Sequence, residues 1–339
     1  MIEGEELYRL ITAKPEMTYS ITHTADFDGV GSAAIIVNYT KMPLDHIFFI
    51  GYTKEDIESA HRWISNIRPS GSTVIFTDIS ANDTLLPYII RLLGEIRSNG
   101  NTIAWIDHHP WSDTAINEIK EYCDLIICGE NEKYCAAELT YQIMSYGGNS
   151  AEPIAKTAHL TDFNLRTEKN KGLLDKLACT ITFINHNYSG SDRMRELRRM
   201  TGIISGCDFD NEFINETFEA YTVEAERNLV LLNQNAESFQ VGRYRIGIGY
   251  GKNIHTNAAC ALIQDKLDTD ISVMIFTDTG QISFRSRKGV DCSPIARAFG
   301  GNGHPNAAGA NPERHNLGIE EVDALKREIV RIASSIYAM

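Results

Sequence analysis

Short apolar segments alternate with helix-like stretches through the first half of the chain. Five segments rich in Ile, Val, Phe and Tyr predict strands at residues 18–23, 46–51, 72–77, 102–106 and 125–128. Residues 31–39, 54–64 and 85–97 between them have the periodicity and length of helices. Parallel strands need long crossover connections of this kind, which form βαβ units. The alternation therefore predicts an α/β domain with a mostly parallel sheet.

The second half predicts a helical part and then a smaller α/β domain with a mixed sheet. Residues 137–237 have a helical pattern, and 211–236 read as one long charged helix without Gly or Pro. Strands are predicted at 243–249, 271–276 and 281–285, the last two joined as a hairpin, and helices at 256–267 and 320–337. A length of 339 residues suits two domains, which we place at 1–210 and 211–339.

Composition excludes several classes of protein. Hydrophobic residues at 43% and charged residues at 23% are globular values, which rule out a disordered chain. No apolar run approaches the roughly 18 residues of a membrane span, and the acidic first six residues are unlike a signal peptide. Seven cysteines without a Cys-x-x-Cys argue against a disulfide framework and a thiolate zinc site. We therefore expect a cytoplasmic protein that does not bind membranes.

The charge of the chain is acidic but uneven. The formal net charge is −13, yet residues 240–310 contain eight Lys or Arg against five Asp and no Glu. An acidic protein repels long polyanions, so coating of nucleic acid through bulk electrostatics is disfavoured. A basic segment in such a chain favours binding of a small anion, provided that cations neutralise the acidic part.

Acidic and histidine residues follow three of the predicted strands at the points where these end. In a parallel sheet, ligands collect at the carboxyl ends of strands, and the sheet holds each side chain in a fixed direction. Mixed imidazole and carboxylate ligands suit Mn²⁺ or Mg²⁺ better than a structural zinc ion. The residues concerned are His23, Asp26, Asp28, Asp78, Asp107, His108 and His109.

The turn after the first predicted strand combines carboxylates with glycines. Asp26 and Asp28 alternate, so they can face different metal ions, while Gly29 and Gly31 permit close backbone approach and open a helix N-terminus toward an anion. An ordinary Asp-Gly turn is the alternative interpretation. A dinucleotide-binding enzyme is disfavoured because no third spaced glycine follows.

Together with Asp162 and the glycine-rich segment 300–309, these motifs resemble those of the DHH phosphoesterase superfamily and its associated DHHA1 domain. The motifs extend from residue 23 to residue 309 in the family's order. The resemblance implies a parallel-sheet catalytic domain, a helical linker and a substrate-binding DHHA1 domain. It points to the branch that acts on nucleotides, with RecJ-like and nanoRNase-like members, although the basic run 285–288 is also similar to a motif of the superfamily's pyrophosphatases.

The resemblance further implies two divalent cations, with Mn²⁺ favoured and Mg²⁺ as the alternative. Asp78 would bridge them. Two ions about 3.5–4 Å apart would activate a hydroxide, which fits the absence of a Gly-x-Ser-x-Gly motif. The implied ligands are His23, Asp26 and Asp78 for one ion, and Asp28, Asp78, His108 and Asp162 for the other.

The same resemblance assigns catalytic and substrate-binding roles. His109 would face the phosphate, and Asp107 would orient the neighbouring histidines, so that the catalytic set is Asp78, Asp107, His108 and His109. Loop glycines can bring backbone amides to an anion, and a histidine can donate to a phosphate oxygen. Asn302 stands where the usual signature has a further glycine. The expected substrate contacts are Arg285, Ser286, Gly301, Gly303, His304 and Asn306.

The leading hypothesis is a Mn²⁺-dependent phosphodiesterase that releases nucleoside 5′-monophosphates from short oligonucleotides or single-stranded ends. A second is hydrolysis of 3′-phosphoadenosine 5′-phosphate or of linear or cyclic dinucleotides. A third, from another class, is a non-catalytic partner in a replication or repair complex. The sequence leaves open the choice between DNA and RNA, the polarity of digestion and whether the chain forms a homodimer.

Overall fold

A computed structural model of the protein describes residues 2–128, 133–312 and 316–337. The chain divides into two compact units, Met1–Phe218 and Glu219–Met339, and the division falls inside a long helix, Glu212–Asn235. Among the described helices, none combines the length and apolar character that crossing a membrane requires.

Unit 1 contains a five-stranded parallel sheet in the order β2-β1-β3-β4-β5. Every neighbouring pair is parallel, as the alternation of strands and helices predicted. The observed strands begin and end within one residue of the predicted ones. They are β1 (Thr18–His23), β2 (Ile47–Ile50), β3 (Thr73–Thr77), β4 (Thr102–Ile106) and β5 (Leu125–Ile127).

Helices cover both faces of this sheet, which explains why most of its strands are rich in apolar residues. Successive side chains of β3 point to opposite faces, so Ile75 packs in the core with α2 and α6–α9, whereas Val74 and Phe76 pack in the core with α3–α5. The helices are α1 (Gly4–Ala13), α2 (Phe27–Thr40), α3 (Lys54–Ile67), α4 (Leu86–Ser98), α5 (Asp113–Ile119), α6 (Ala136–Met144), α7 (Glu152–Asp162), α8 (Lys171–Asn187), α9 (Gly190–Ser205) and α10 (Glu212–Asn235).

Unit 2 contains a six-stranded mixed sheet in the order β10-β11-β9-β8-β7-β6. Of its described pairs, β7 and β8 run parallel and the others antiparallel, and β8 and β9 form the predicted hairpin. The strands are β6 (Glu237–Val241), β7 (Tyr244–Gly251), β8 (Ile271–Phe276), β9 (Ile282–Ser286), β10 (Asn302–His304) and β11 (Ala307–Ala310). The remaining helices are α11 (Thr256–Leu267), α12 (Ser293–Ala298) and α13 (Ile319–Tyr337).

The expectation that residues 300–309 form a loop is wrong, because this segment contains the hairpin β10–β11. Strand β11 pairs with β9, which places β10 at the edge of the sheet. Strand β6 was also missed. All seven cysteines are free thiols, as their odd number and spacing predicted.

Candidate metal centre

The carboxyl ends of three adjacent strands meet in unit 1. His23 is the last residue of β1, Asp78 follows β3, and Asp107 follows β4. Asp162 is the last residue of α7, a helix that packs against α2. Because these strands are parallel neighbours, their ends lie side by side, and the side chains that follow them converge.

One group of ligand atoms contains His23, Asp26 and Asp78. The Nδ1 atom of His23 lies 3.6 Å from Asp26 Oδ2 and 3.5 Å from Asp78 Oδ2. His23 and Asp78 are buried, whereas Asp26 is exposed. The group is therefore open on one side.

A second group contains Asp28, His108 and Asp162. The Nε2 atom of His108 lies 3.7 Å from Asp28 Oδ2 and 3.8 Å from both Asp162 Oδ2 and Asp78 Oδ1. Asp78 therefore presents Oδ2 to the first group and Oδ1 to the second. This is the arrangement expected of a carboxylate shared by two cations.

The electrostatics of the two groups suit divalent cations. His23 Nδ1, Asp78 Oδ2 and His108 Nε2 are buried and have no hydrogen-bond partner among the described residues. Burial and the carboxylates of Asp28 and Asp26 raise the pKa of Asp78 well above its usual range. Buried carboxylates that face one another need a compensating positive charge. Nitrogen and oxygen donors of this kind fit Mn²⁺ or Mg²⁺.

His109 lies beside both groups and is held by Asp107. Its Nδ1 atom lies 2.8 Å from Asp107 Oδ1, while Trp111 Nε1 donates to Asp107 Oδ2 at 2.7 Å. Although burial opposes it, the Asp107 carboxylate raises the pKa of His109 to about 9. Asp107 makes no hydrogen bond to His108 among the described contacts, so of the two histidines it bonds to His109 alone.

Asp78 occupies an unusual backbone conformation that the surrounding structure stabilises. Its φ of 57° lies in the left-handed region, which few non-glycine residues adopt. The N–H of Asp78 donates to the carbonyl of Ile106, and the carbonyl of Asp78 accepts from the Tyr52 hydroxyl at 3.3 Å. The Tyr52 ring also packs on His23, with centroids 4.5 Å apart. Tyr52 was missed by sequence reasoning, since an aromatic residue after a strand carries no specific signal.

The start of α2 corrects one expectation. The N–H groups of Asp28 and Gly29 donate to Asp26 Oδ1, so the carboxylate of Asp26 caps this helix. The glycines suggested that this helix N-terminus is open toward an anion. The structure shows instead that the Asp26 carboxylate occupies it. Gly29 serves close packing instead, since a Cβ there would lie 2.2 Å from the carbonyl oxygen of His23.

Asp28 is held by a helix that lies far away in sequence. The N–H groups of Ala136 and Ala137, at the start of α6, donate to its two carboxylate oxygens at 2.8 and 2.7 Å. Negative charge at a helix N-terminus is stabilised by the exposed N–H groups and by the helix dipole. No local pattern in the sequence predicts this contact.

The predicted substrate residues of unit 2 lie around β9 and the β10–β11 hairpin. Arg285 donates from Nε to Asn257 Oδ1 at 3.0 Å and from Nη1 to the carbonyl of Phe284. The Ser286 hydroxyl donates to the carbonyls of Val290 and Pro305. Its hydroxyl hydrogen is thus already engaged within unit 2, which corrects the expectation that Ser286 is free to contact a substrate.

The glycines of the hairpin are required by packing. The N–H of Gly301 donates to the carbonyl of Ala296, and a Cβ there would lie 2.0 Å from the Gly309 carbonyl oxygen. Gly303 has a φ of 143°. The expectation that the Gly301 amide meets an anion is therefore wrong. His304 and Asn306 are exposed at the edge of the sheet, as is Asn302, which pairs with Gly309.

Without a bound cation, the protein is expected to lose stability as pH rises from about 6.5 to 8.5. Burial and Asp28 raise the pKa of Asp162 to about 8, far above its value in an unfolded chain. The folded state therefore binds more protons than the unfolded state over this range. His109, whose pKa is also raised, adds to this difference. Each additional proton bound by the folded state lowers the free energy of unfolding by at most about 1.4 kcal/mol per pH unit. Because Asp162 is partly exposed, we expect its contribution to lie below this limit.

Urea unfolding in EDTA across this range measures the slope. Asp162→Asn should flatten it, and Mn²⁺ should abolish most of it because a cation replaces the protons. Stability that rises with pH in EDTA would contradict the charge arrangement described above.

A parallel sheet with two groups of carboxylate and histidine donors at the ends of its strands is an arrangement that can hold two divalent cations. Residues 18–163 match the N-terminal domain of the DHH family, and residues 241–335 match the DHHA1 domain. The chain belongs to the DHH family and carries a C-terminal DHHA1 domain, as its motifs predicted. No curated protein matches the chain.

Solved structures share this fold at low sequence identity. The DHH domain of a protein described as a member of a ribosomal protein family is 16% identical, with a TM-score of 0.62, over 96% of this chain and 89% of that one. RecJ from Thermus thermophilus, in complex with Mn²⁺, is 14% identical with a TM-score of 0.61, over 98% of this chain and 54% of that one. CDC45 from Entamoeba histolytica is 10% identical with a TM-score of 0.53, over 98% of each chain.

Proposed function

We propose that this protein is a Mn²⁺-dependent phosphodiesterase that releases nucleoside 5′-monophosphates from short oligonucleotides or single-stranded ends. The observation that carries the proposal is the Asp78 carboxylate, which presents one oxygen to His23 and the other to His108. The likeness of the fold to an Mn²⁺-bound RecJ is consistent with this chemistry. A cytoplasmic location stays a prediction.

The proposed ligands follow from the two groups of donors, in each of which one carboxylate is exposed. His23, Asp26 and Asp78 would hold one cation, and Asp28, Asp78, His108 and Asp162 the other. When bound, the cations would supply Lewis acidity, which lowers the pKa of a water molecule and neutralises phosphoryl oxygens. Burial and the neighbouring His109 lower the pKa of His108, which favours the neutral imidazole that binds metals.

We assign His109 to substrate binding and Asp107 to the positioning of His109. Asp107 engages Nδ1 of His109, so Nε2 is the ring nitrogen left to donate to a phosphoryl oxygen. Both oxygens of Asp107 are engaged, by His109 and by Trp111, which fixes the orientation of the His109 ring. His109 therefore contacts the substrate, and Asp107 positions it.

Short substrates fit the charge of the chain. A net charge of −13 repels a long polyanion, and one or two phosphates can be accommodated where cations neutralise the carboxylates. Arg285, Gly303, His304 and Asn306 in the basic region of unit 2 remain the proposed substrate contacts there. Gly301 and Ser286 are left out because their donors are engaged internally.

A panel of substrates tests the function. Five-nucleotide RNA and DNA, a 24-nucleotide single-stranded DNA, pApA, 3′-phosphoadenosine 5′-phosphate and pyrophosphate are each incubated with Mn²⁺ or with EDTA. We expect stepwise release of mononucleotides from the five-nucleotide substrates with Mn²⁺ and no release with EDTA. Preferential cleavage of pApA or of 3′-phosphoadenosine 5′-phosphate would favour the second hypothesis. Binding of Mn²⁺ without any hydrolysis would favour a non-catalytic partner.

A further inference from the structure

Arg193 is a half-buried cationic residue of unit 1. It lies in the first turn of α9, and its Nε atom is buried with no hydrogen-bond partner among the described residues. The acidic residues of the same helix are engaged elsewhere, since Asp192 and Glu196 both pair with Arg195. Arg193 as a whole is half-buried, and a buried N–H without a partner is costly, so an anion that reaches Nε would be bound favourably.

The position of Arg193 on the helix directs it inward. Leu197, Met200 and Ile204 are fully buried, and their spacing from Arg193 follows the helical repeat of one face. Arg193 therefore continues the apolar stripe of α9 by one turn toward the start of the helix. A charged residue at the end of such a stripe lies where the packed core meets the edge of the domain.

Contacts with β2 show which edge this is. Met194 Sδ accepts from the N–H of Phe49, near the carboxyl end of β2, whereas Arg198 Nε donates to the carbonyl of Ile47 at the other end of the strand. Phe49 pairs with Thr22, one residue before His23. Helix α9 thus begins at the edge of the sheet that carries the candidate metal centre.

A contact with α2 is consistent with this position of Arg193. Asn38 Nδ2 donates to the carbonyl of Ser205, near the C-terminal ends of α2 and α9. Both helices start at the carboxyl edge of the sheet and rise by about 1.5 Å per residue. Going back by the same number of residues along each helix leads from this contact to Arg193 in α9 and to Asp26 at the start of α2.

The chain that precedes α9 is attached to the same turn. Asn185 in α8 donates from Nδ2 to the carbonyl of Thr24 at 2.7 Å and accepts from the Thr24 hydroxyl at 2.9 Å. Thr24 lies between His23 and Asp26, so the end of α8 is fixed beside the metal ligands. The connection from α8 to α9 is short, which keeps Arg193 close to this turn.

We propose that Arg193 binds a phosphate oxygen of the substrate at the rim of the metal centre. The ligand class is a phosphate monoester or diester, because a guanidinium group can donate two parallel hydrogen bonds to phosphate oxygens. Arg193 is a substrate-binding residue that the motifs do not include. This inference deepens the proposed function and rests on it.

The test measures binding of adenosine 5′-monophosphate to the full chain loaded with Mn²⁺, by calorimetry, for wild type, Arg193→Gln and Arg193→Lys. Arg195→Gln is the matched control, since Arg195 lies on the same helix but is exposed and paired with acidic residues. We expect Arg193→Gln to weaken binding by about 10-fold or more and to raise the KM of the five-nucleotide RNA. Arg193→Lys should lie between, and Arg195→Gln should match wild type.

A melting curve in EDTA separates binding from a structural role. Because Arg193 Nε has no partner to lose among the described residues, Arg193→Gln should melt at or above the wild-type temperature. Equal affinity of Arg193→Gln and Arg195→Gln for adenosine 5′-monophosphate would overturn the inference, while continued mononucleotide release would leave the proposed function intact. A lower melting temperature of Arg193→Gln, together with unchanged affinity in Arg193→Lys, would also overturn it.

Failure of the proposed function gives a different result. In that case wild type binds Mn²⁺, as measured by the loss of the free-ion signal in electron paramagnetic resonance, but releases no mononucleotide and does not bind adenosine 5′-monophosphate. The assignment of Arg193 would then fall with the function.

Discussion

Asp78→Asn is expected to abolish both Mn²⁺ binding and mononucleotide release. Asp78 presents one oxygen to each group of donors, so its loss weakens both at once. Changes to residues that only support a metal ligand cost about 10- to 100-fold in affinity or activity, and removal of a shared ligand should cost more than about 100-fold. Asn tolerates the φ of 57° at this position, so the turn after β3 should be preserved.

Activity on the five-nucleotide RNA, Mn²⁺ binding and melting in EDTA measure this prediction. The melting temperature in EDTA should equal or exceed that of wild type, because Asn brings no charge into a buried site. Asp268→Asn is the matched control: Asp268 also has a positive φ, but it caps α11 in unit 2 and pairs with the exposed Arg287. Wild-type Mn²⁺ affinity in Asp78→Asn would contradict the assignment of Asp78 as a shared ligand.

Gly29→Ala should destabilise unit 1 by about 3 kcal/mol or more. The added Cβ would lie 2.2 Å from the carbonyl oxygen of His23 and 2.8 Å from its carbonyl carbon. These are backbone atoms of β1, which cannot turn aside as a flexible side chain would. The variant must therefore displace the start of α2, which carries Asp26 and Asp28.

Gly31→Ala is the matched control on the same helix. Its Cβ would meet only side-chain atoms at ordinary contact distances, 3.5 Å from Ile154 and 3.6 Å from Ala158. Alanine favours helix over glycine by up to about 1 kcal/mol, so this variant should keep or gain stability. Urea unfolding and Mn²⁺ binding of both variants test this prediction. Equal unfolding midpoints for the two variants would show that the His23 carbonyl does not exclude a Cβ at position 29.

Most of the fold of unit 1 could be predicted because its signals are local. The strands of a covered parallel sheet are short apolar runs, and helices of similar length separate them. The strands at one edge of the unit 2 sheet were harder to predict. The strands β10 and β11 consist largely of Gly, Ala and Asn, which have low strand propensity. Their pairing with β9 makes them strands, and no local pattern carries that information.

The candidate site divides in the same way. The residues that follow strands could be recognised, since the ends of parallel strands meet by construction. Their partners could not: the N–H groups that hold Asp28 belong to residues more than 100 positions away, and Tyr52 and Arg193 have no motif. Two expectations about glycines were wrong for one reason, because Gly29 and Gly301 serve close backbone packing rather than anion binding.

The sequence by itself determined the alternation of strands and helices, the order of the acidic and histidine motifs, and the family to which they belong. Each of these depends on residue type and spacing along the chain. The tertiary structure alone decided which oxygen of Asp78 faces which histidine, which amides hold Asp28, and where Arg193 lies. These depend on contacts between distant segments, whose geometry is set by packing of helices on the sheet rather than by any local preference.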